Sequence, residues 1–284
     1  MAVKVVTDST SYIDEKTQTD LDIKMLHLTV HFPDESFDET VVPYDYFYKK
    51  IERDNVIPTS SQPSFGEIFD LFRSIIARGD DVLGIFLSAQ MSGTYDSALS
   101  AKKMLLEEYP DSRIEIIDSK TNCMALGFQV MEAARAAQAG KSMEEAIAAA
   151  HLIRERIRFY FVPASLKYLI KGGRIGGASA IIGSFLHIRP ILYVNKDGVT
   201  DVYERVRGTS RAVSRMLKLL EDDAEMYGLK HLLVHHIFDD KQGNELAGRL
   251  GRKYNQKVPV LSIGPVIGLH VGPGTVAIVY TTID

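Results

Sequence analysis

Short apolar stretches alternate with longer amphipathic segments through the first half of the chain. The apolar stretches that predict strands are residues 3–6, 82–87 and 114–117. The segments that predict helices are residues 65–79, 94–109, 126–139 and 143–157. Two of these helices begin with the capping-box pattern, at Ser64 with Glu67 and at Ser142 with Glu145. Strands separated by helices of this length are expected to pair in parallel through right-handed crossovers.

The pattern changes near residue 159, where strands come closer together and a hairpin signal appears. Residues 191–194 and 202–206 flank the sequence Asn-Lys-Asp-Gly, which is typical of a β-hairpin turn. The other strands predicted here are residues 159–162, 231–237, 258–263 and 275–282, and the helices are residues 166–170, 178–187, 209–226 and 240–254. We therefore predict an α/β protein of two domains. Residues 1–158 form an N-terminal domain with a parallel sheet, and residues 159–284 form a C-terminal α/β domain with a mixed sheet.

The size and charge of the chain agree with two domains and limit the partners. At 284 residues the chain exceeds the usual size of one hydrophobic core. A formal net charge of −4 argues against a broadly basic surface, so no nucleic acid is expected as a partner. The single cysteine, Cys123, excludes an intrachain disulfide and a cysteine-rich metal site. No apolar run reaches the length of a membrane span and the first residues lack a signal-peptide layout, so we expect a cytoplasmic protein.

Turns rich in hydroxyl side chains follow three of the predicted strands. They are residues 7–11, 88–94 and 118–121, and a fourth hydroxyl-rich stretch covers residues 58–64. In an open α/β sheet, ligands bind outside the carboxyl ends of the strands, where such turns lie. Hydroxyl and backbone N–H groups suit an oxyanion, so the turns predict capture of a phosphate or a carboxylate.

Ser60 is a candidate ligand contact because its segment is constrained. With Thr59 and Ser61, it lies between Pro58 and Pro63, whose fixed φ angles lower the entropy cost of holding a loop in one shape. The structural alternative is that the hydroxyls of this stretch only cap the helix that follows.

Ser92 and Gly93 stand at the turn from a strand into a helix. Gly93 would let a ligand approach the backbone, and the helix N-terminus favours negative charge. Helix capping by Ser92 is again the structural alternative. Asp8 and Asp118 also follow strands, where an aspartate could bind a metal or orient a hydroxyl, although solvated and capping aspartates are commoner.

The remaining motifs exclude several enzyme classes. The glycine-rich residues 172–177 match neither the Walker A motif nor the dinucleotide fingerprint. The chain has no Gly-x-Ser-x-Gly elbow, no His-Glu-x-x-His motif and no cysteine-based metal spacing, so we expect no metal and no cofactor. His235 and His236 fall in an apolar strand and point to opposite faces, which does not suit one metal. His270 is surrounded by glycine and proline, and both a ligand-facing role and a structural role stay open for it.

Taken together, the motifs resemble those of the DegV family of bacterial lipid-binding proteins. The matching segments are residues 7–11, 58–64, 87–88, 92–95, 118–120, 171–175 and 264–272. Each segment is a weak signal alone, but their order along nearly the whole chain makes the resemblance specific. Ala89 and Gln90 depart from it, since the family more often has Ser-Gly at these positions.

The resemblance implies that the chain holds one long-chain fatty acid, such as palmitate, stearate or oleate, between its two domains. Hydroxyls of two Ser/Thr motifs bind the carboxylate in that family, which implies Ser60 and Ser92 here, followed by Thr59 and His270. A cationic His270 or Arg174 could offset the charge. Better-studied members are the non-catalytic binding subunit of a fatty acid kinase. They present the carboxylate to a separate ATP-binding subunit, which makes an acyl phosphate for phospholipid synthesis.

Apolar residues of the segment 178–192 are candidate contacts for the fatty acid tail, although ordinary core packing explains them equally well. They are Ile181, Ile182, Phe185, Leu186 and Ile191.

Two other functions stay open. An acyl hydrolase or transferase would use Ser92 as nucleophile and His270 as base, but the chain lacks a nucleophile elbow and an obvious aspartate to orient His270. A sugar-phosphate binder would suit the hydroxyl-rich turns, but among the three turns that follow strands only Lys120 supplies a positive side chain.

Overall fold

The computed structural model describes residues 2–181 and 188–284 of the chain. Within them the α-helices are α1 (Glu15–Asp20), α2 (Tyr44–Asp54), α3 (Phe65–Ile76), α4 (Thr94–Glu108), α5 (Cys123–Gln138), α6 (Met143–Arg156), α7 (Lys167–Lys171), α8 (Thr209–Tyr227), α9 (Asp240–Tyr254) and α10 (Pro265–Val271). The strands are β1 (Val3–Asp8), β2 (Lys24–Leu26), β3 (Thr29–His31), β4 (Ser36–Asp38), β5 (Thr59–Ser61), β6 (Asp81–Phe86), β7 (Ile114–Asp118), β8 (Ile157–Val162), β9 (Ile188–Val194), β10 (Thr200–Arg207), β11 (Leu229–Ile237), β12 (Val260–Ser262) and β13 (Thr275–Thr282). Short 3₁₀ helices cover Ser9–Ser11 and Gly176–Ile181.

The chain forms two compact units, and each is built from three separate segments of the sequence. The first unit contains Met1–Thr29, Asp38–Thr40 and Ser60–Glu155, and the second contains Val30–Phe37, Val41–Thr59 and Arg156–Asp284. This division is more interleaved than the predicted ranges 1–158 and 159–284. The reason is α2, which places Tyr48 against Phe238 of the second unit with ring centroids 4.8 Å apart. Such packing joins residues far apart in sequence, so local periodicity contains no sign of it.

The first unit is built on a parallel four-stranded sheet in the order β2-β1-β6-β7, as the alternation of strands and helices predicted. Both faces of this sheet are covered. Val5 points to one face and joins a core with Leu126 of α5, whereas Val6 points to the other and packs with Phe72 of α3. Burial on two faces explains why these strands are continuously apolar rather than alternating.

The second unit is built on a mixed six-stranded sheet in the order β10-β9-β8-β13-β11-β12. Its described pairs are antiparallel except β11 with β12, which is parallel. The predicted hairpin joins β9 and β10 and is closed by a hydrogen bond from Asn195 N to Val199 O at 2.9 Å. Helices α8 and α9 cover one face through residues such as Leu217 and Leu246, and Leu169 of α7 packs on the other.

Both predicted capping boxes form. Ser64 Oγ accepts a hydrogen bond from Glu67 N at 3.2 Å, and Ser64 N donates to the Glu67 carboxylate at 2.7 Å. Ser142 and Glu145 make the same reciprocal pair at the start of α6. Each box satisfies backbone N–H groups that have no partner within the helix, which is why the sequence located these helix starts well.

Other regions differ from the prediction. No element was predicted over residues 12–57, which contain α1, α2 and three strands of three residues each, too short to show a period. The glycine-rich stretch 264–274 contains α10, which begins at Pro265, because a proline at the first helical position lacks an N–H that has no partner within the helix in any case.

The predicted helix over residues 178–187 is only partly described, as the 3₁₀ helix Gly176–Ile181. Ile182, Phe185 and Leu186 lie outside the described residues, as does the side chain of Ile181. Ile191 is fully buried in the core beneath α8. A search of the described residues finds no helix with the length and apolar character needed to span a membrane.

Two glycines of α9 give a matched pair of substitutions with opposite effects. A Cβ at Gly243 would lie 2.7 Å from Cδ2 of the buried His236 ring, whereas at the exposed Gly248 the nearest atom would be Arg252 Nη1 at 3.7 Å. We expect Gly243→Ala to lower the free energy of unfolding by about 1–3 kcal/mol through overpacking. Gly248→Ala should raise it by about 1 kcal/mol through helix propensity. Urea unfolding of both variants checks this, and equal effects would contradict the described packing of α9 on β11.

Candidate functional site

Three hydroxyl-rich turns lie together at the carboxyl edge of the parallel sheet in the first unit. They follow β1, β6 and β7, which are neighbours in the sheet. Leu87 N donates to Asp8 Oδ2 at 2.8 Å, joining the turns after β1 and β6. Ser88 N donates to Thr121 O at 2.8 Å, joining the turns after β6 and β7. The expected convergence of these turns is therefore present.

The Asp8 carboxyl group fills the position between β1 and β6. The strand order reverses at this point, where open α/β sheets usually bind ligands. Asp8 is fully buried, and its Oδ1 accepts hydrogen bonds from Thr10 N at 3.0 Å and from Thr10 Oγ1 at 2.5 Å. Burial raises the pKa of Asp8 to about 6, and these hydrogen bonds together with that from Leu87 oppose the rise. The Asp8 carboxyl group thus accepts the hydrogen bonds of Thr10 N and Leu87 N, which are then not available to a bound anion.

The turn after β7 is satisfied in a similar way. Asp118 accepts a hydrogen bond from Lys120 N at 2.8 Å and forms an ion pair with Lys120 Nζ at 2.9 Å. Ser119 Oγ donates to Thr121 O at 3.2 Å. Asp8 and Asp118, whose roles the sequence left open, are therefore both hydrogen-bonded to backbone N–H groups of these turns.

Cys123 does not provide a nucleophile at this edge. The residue is fully buried at the start of α5, and burial, followed by the charge of Glu39, raises the pKa of its thiol. A thiol with a raised pKa is protonated near pH 7 and is a poor nucleophile. Across residues 2–181 and 188–284, no group of three or more His, Cys, Asp or Glu side chains is arranged to hold a metal ion.

Ser92 stands in the turn after β6, immediately before α4. Its backbone N donates to Ser88 O at 3.1 Å, and Ser88 Oγ accepts from Gln90 N at 3.2 Å, so the turn is ordered despite the departure at Ala89 and Gln90. Ser92 Oγ lies 3.0 Å from Thr94 Oγ1 and 3.4 Å from Thr94 N. The second distance is long for a helix cap. When Thr94 Oγ1 is the donor to Ser92 Oγ, the half-buried Ser92 hydroxyl can itself donate to an anion at the N-terminus of a fifteen-residue helix.

Ser60 lies in β5 and is also half-buried. The capping of α3 is done by Ser64, so the alternative that Ser60 only caps this helix does not hold. The Ser60–Ser64 stretch is joined to α4 by Gln62, whose Nε2 donates to Ser97 Oγ at 2.5 Å. The sequence did not single out Gln62. Its position between two serines and a proline was the available signal, but it does not reveal which helix the amide meets.

His270 and Arg174 come together in the second unit. A Cβ at Gly172 would lie 2.3 Å from His270 Nδ1, and Arg174 Nη1 donates to Gly172 O at 2.6 Å. Burial, followed by the charge of Arg174, lowers the pKa of His270 to about 4. The lowered pKa favours a neutral His270 near pH 7 with Arg174 as the positive side chain beside it, and a cationic His270 at a bound carboxylate stays a prediction. Among the described residues, the causes that lower the pKa of His270 are its burial and Arg174.

Close packing explains the glycines on both sides of His270. A Cβ at Gly268 would lie 1.8 Å from Tyr48 Oη, and Gly272, with φ +96°, would place one 2.4 Å from the Tyr168 ring. The backbone of α10 can approach Tyr48 and Tyr168 only because these positions have no side chain. Thr59, the last candidate, is exposed in the second unit.

The buried carboxyl of Asp8 predicts a specific pH dependence of stability. Because its pKa rises from 3.8 to about 6 on folding, the folded state holds a proton that the unfolded chain releases between these values. Stability should therefore fall as the pH rises from about 4 to 6. The wild type should lose about 3 kcal/mol relative to Asp8→Asn between pH 4 and pH 7.

Urea unfolding of the wild type and Asp8→Asn at four pH values measures this difference. Asp14→Asn is a control of opposite sign whose effect lies below about pH 4, because the hydrogen bond from Thr17 N lowers the pKa of Asp14 from 3.8, so the series extends to about pH 3. Stability from Asp14 is lost as the pH falls through its lowered pKa. Parallel pH profiles for wild type and Asp8→Asn would contradict the assignment.

Comparison with known proteins identifies the family. A family model described as an uncharacterised protein of the DegV family matches residues 2–282. A DegV domain-containing protein of Clostridium acetobutylicum is 44% identical over 282 residues, covering 99% of this chain and 98% of the relative. Protein DegV of Bacillus subtilis is 33% identical over 283 residues, with 98% of each chain covered.

Solved structures agree with this match over the whole chain. A DegV family protein from Thermus thermophilus, described for its fatty acid binding, has a TM-score of 0.88 at 28% identity and covers 99% of this chain and 100% of its own. DegV from Bacillus subtilis, described as a fatty acid binding protein, has a TM-score of 0.86 at 32% identity with 99% of each chain covered. The chain described here therefore belongs to the DegV family.

Proposed function

We propose that this protein binds one long-chain fatty acid and presents its carboxylate to a partner kinase for acyl-phosphate formation. The observation that carries the first part is the half-buried Ser92 hydroxyl at the N-terminus of α4, in a family whose solved members bind fatty acids. Ser60 and Gly93 are the other proposed contacts in the first unit. Thr59, His270 and Arg174 remain predicted contacts from the second unit.

A carboxylate suits the first unit better than a phosphate does. Ser92 and Ser60 offer hydroxyl donors, whereas the one lysine of the adjoining turns, Lys120, is paired with Asp118. The Asp8 carboxyl group at the same sheet edge would also repel a dianion more strongly than a monoanion. These charges favour a fatty acid over a sugar phosphate.

The fatty acid tail would supply most of the affinity and the hydroxyls most of the orientation. Each buried methylene contributes roughly 0.8 kcal/mol, so a tail of about fifteen supplies on the order of 12 kcal/mol before the costs of binding. A carboxylate removed from water must be hydrogen-bonded or paired with a positive charge. Two hydroxyl donors meet much of that need without neutralising a carboxylate that has to react.

The kinase step assigns different tasks to two proteins. A carboxylate oxygen of the fatty acid attacks the γ-phosphorus of ATP, the bond from phosphorus to the bridging β–γ oxygen breaks, and ADP leaves with that oxygen. This chain has no Walker A motif, so the partner would hold ATP. Presenting the carboxylate in a fixed orientation is then the contribution of this chain to the rate.

Lipid binding is tested first on the protein itself. We expect organic extraction and mass spectrometry of the purified protein to recover about one fatty acid per chain. Delipidated protein should bind fluorescent or isotope-labelled palmitate and oleate with saturable, one-site behaviour. Protein that is reproducibly free of lipid and takes up neither acid would overturn the proposed function.

Substitution of the two hydroxyls tests the carboxylate contacts. Ser92→Ala and Ser60→Ala should each weaken oleate binding about tenfold, because each removes a hydrogen bond to a charged group. Acyl-phosphate formation with an ATP-binding partner subunit should fall further, since orientation is lost as well. Ser100→Ala is the matched control on α4, where the hydroxyl bonds only to Asp96 O on an exposed face. Unchanged acyl-phosphate formation by both variants would refute the assignment.

A further inference from the structure

Gln62 makes two contacts with the start of α4, and each uses a different atom of its amide. Nε2 donates to Ser97 Oγ at 2.5 Å. Oε1 lies where a side chain at position 93 would begin, since a Cβ built on Gly93 would be 2.2 Å from Oε1 and 3.2 Å from Cδ. The amide therefore fills the space beside Gly93 and is held there by the hydrogen bond to Ser97.

The conformation of Gly93 does not itself require glycine. Its φ of −80° and ψ of 4° are open to any residue. The sequence predicted a glycine that lets a ligand approach the backbone, but the Cβ position is occupied by Gln62. A side chain at position 93 would have to displace the Gln62 amide from this contact.

We infer that Gln62 is a positioning residue that sets the spacing between the Ser60 and Ser92 hydroxyls. Gln62 is two residues from Ser60, and its amide packs on the residue that follows Ser92. Pro63, which is buried, limits the backbone freedom between Gln62 and α3. A change in this contact would move one hydroxyl relative to the other. The inference rests on the proposed function, because the spacing between the two hydroxyls matters only if they bind the carboxylate of a fatty acid.

A pair of ligands with the same tail separates carboxylate positioning from general stability. Oleate carries the carboxylate, whereas methyl oleate carries the same chain without the charge. We expect Gln62→Ala to weaken oleate binding about tenfold and methyl oleate binding less than twofold. Gln62→Glu should weaken oleate binding still more, because it adds a negative charge beside the site. A residue that only stabilises the fold would change both affinities together.

Gly93 provides a second and independent measurement. Gly93→Ala should weaken oleate binding about tenfold in the wild type, because the added methyl group displaces the Gln62 amide. In the Gln62→Ala background the same substitution should have less than a twofold effect, because the clash is gone. The double variant should therefore match Gln62→Ala, a strong departure from additivity. Ser100→Ala serves as the control on the same helix.

The outcomes distinguish this inference from the proposed function. If the wild type binds no oleate, both fail together. If the wild type binds oleate but Gln62→Ala binds it equally well, or loses oleate and methyl oleate in parallel, only the positioning role fails. Additive effects of Gln62→Ala and Gly93→Ala would also overturn it. Should Gln62→Ala fold poorly, Ser97→Ala removes only the hydrogen-bond acceptor of Gln62, and unchanged discrimination between the two ligands would overturn the inference.

Discussion

Parallel pairing of β1 with β6 and of β6 with β7 places three strand ends at one edge of the sheet. Backbone N–H groups of the turns after these strands need partners there, because little water reaches a buried edge. Asp8 and Asp118 supply side-chain carboxylates to two of the turns, at Leu87 N and Lys120 N. The turn that carries the half-buried Ser92 is joined to its neighbours by Leu87 N donating to Asp8 Oδ2 and by Ser88 N donating to Thr121 O. The site proposed for a fatty acid carboxylate thus depends on Asp8 and Asp118, which accept hydrogen bonds from backbone N–H groups of the neighbouring turns.

Three glycines of the candidate site leave room for a side chain of another segment. At Gly93 the backbone is ordinary and the missing side chain makes room for the Gln62 amide. At Gly172 and Gly268 the space is taken by His270 and Tyr48. Each glycine permits a close approach between side chain and backbone, and none of these three has positive φ. At these three positions glycine is therefore a packing feature, whereas Gly173 and Gly272 have positive φ, which favours glycine through the backbone itself.

Local sequence patterns predicted some parts of the structure well and others not at all. The capping boxes at Ser64 and Ser142 were located correctly, because both partners of each box lie within three residues. Residues 30–37 and 41–59 were not placed in the second unit, because that placement rests on contacts such as Tyr48 with Phe238. The lowered pKa of His270 was likewise not predictable, since it follows from burial of the side chain and from the charge of Arg174.

The sequence by itself determined the α/β class, the parallel sheet of the first half, the mixed sheet of the second and the membership of the DegV family. Those features depend on the hydrophobic period, on capping pairs and on the order of the motifs, and all three are visible in the linear sequence. Only the tertiary structure showed that Asp8 closes the space between β1 and β6, that Arg174 lies near His270, and that Gln62 meets Gly93. The physical reason is that these contacts depend on how distant segments pack, and packing is decided by three-dimensional shape rather than by neighbours along the chain.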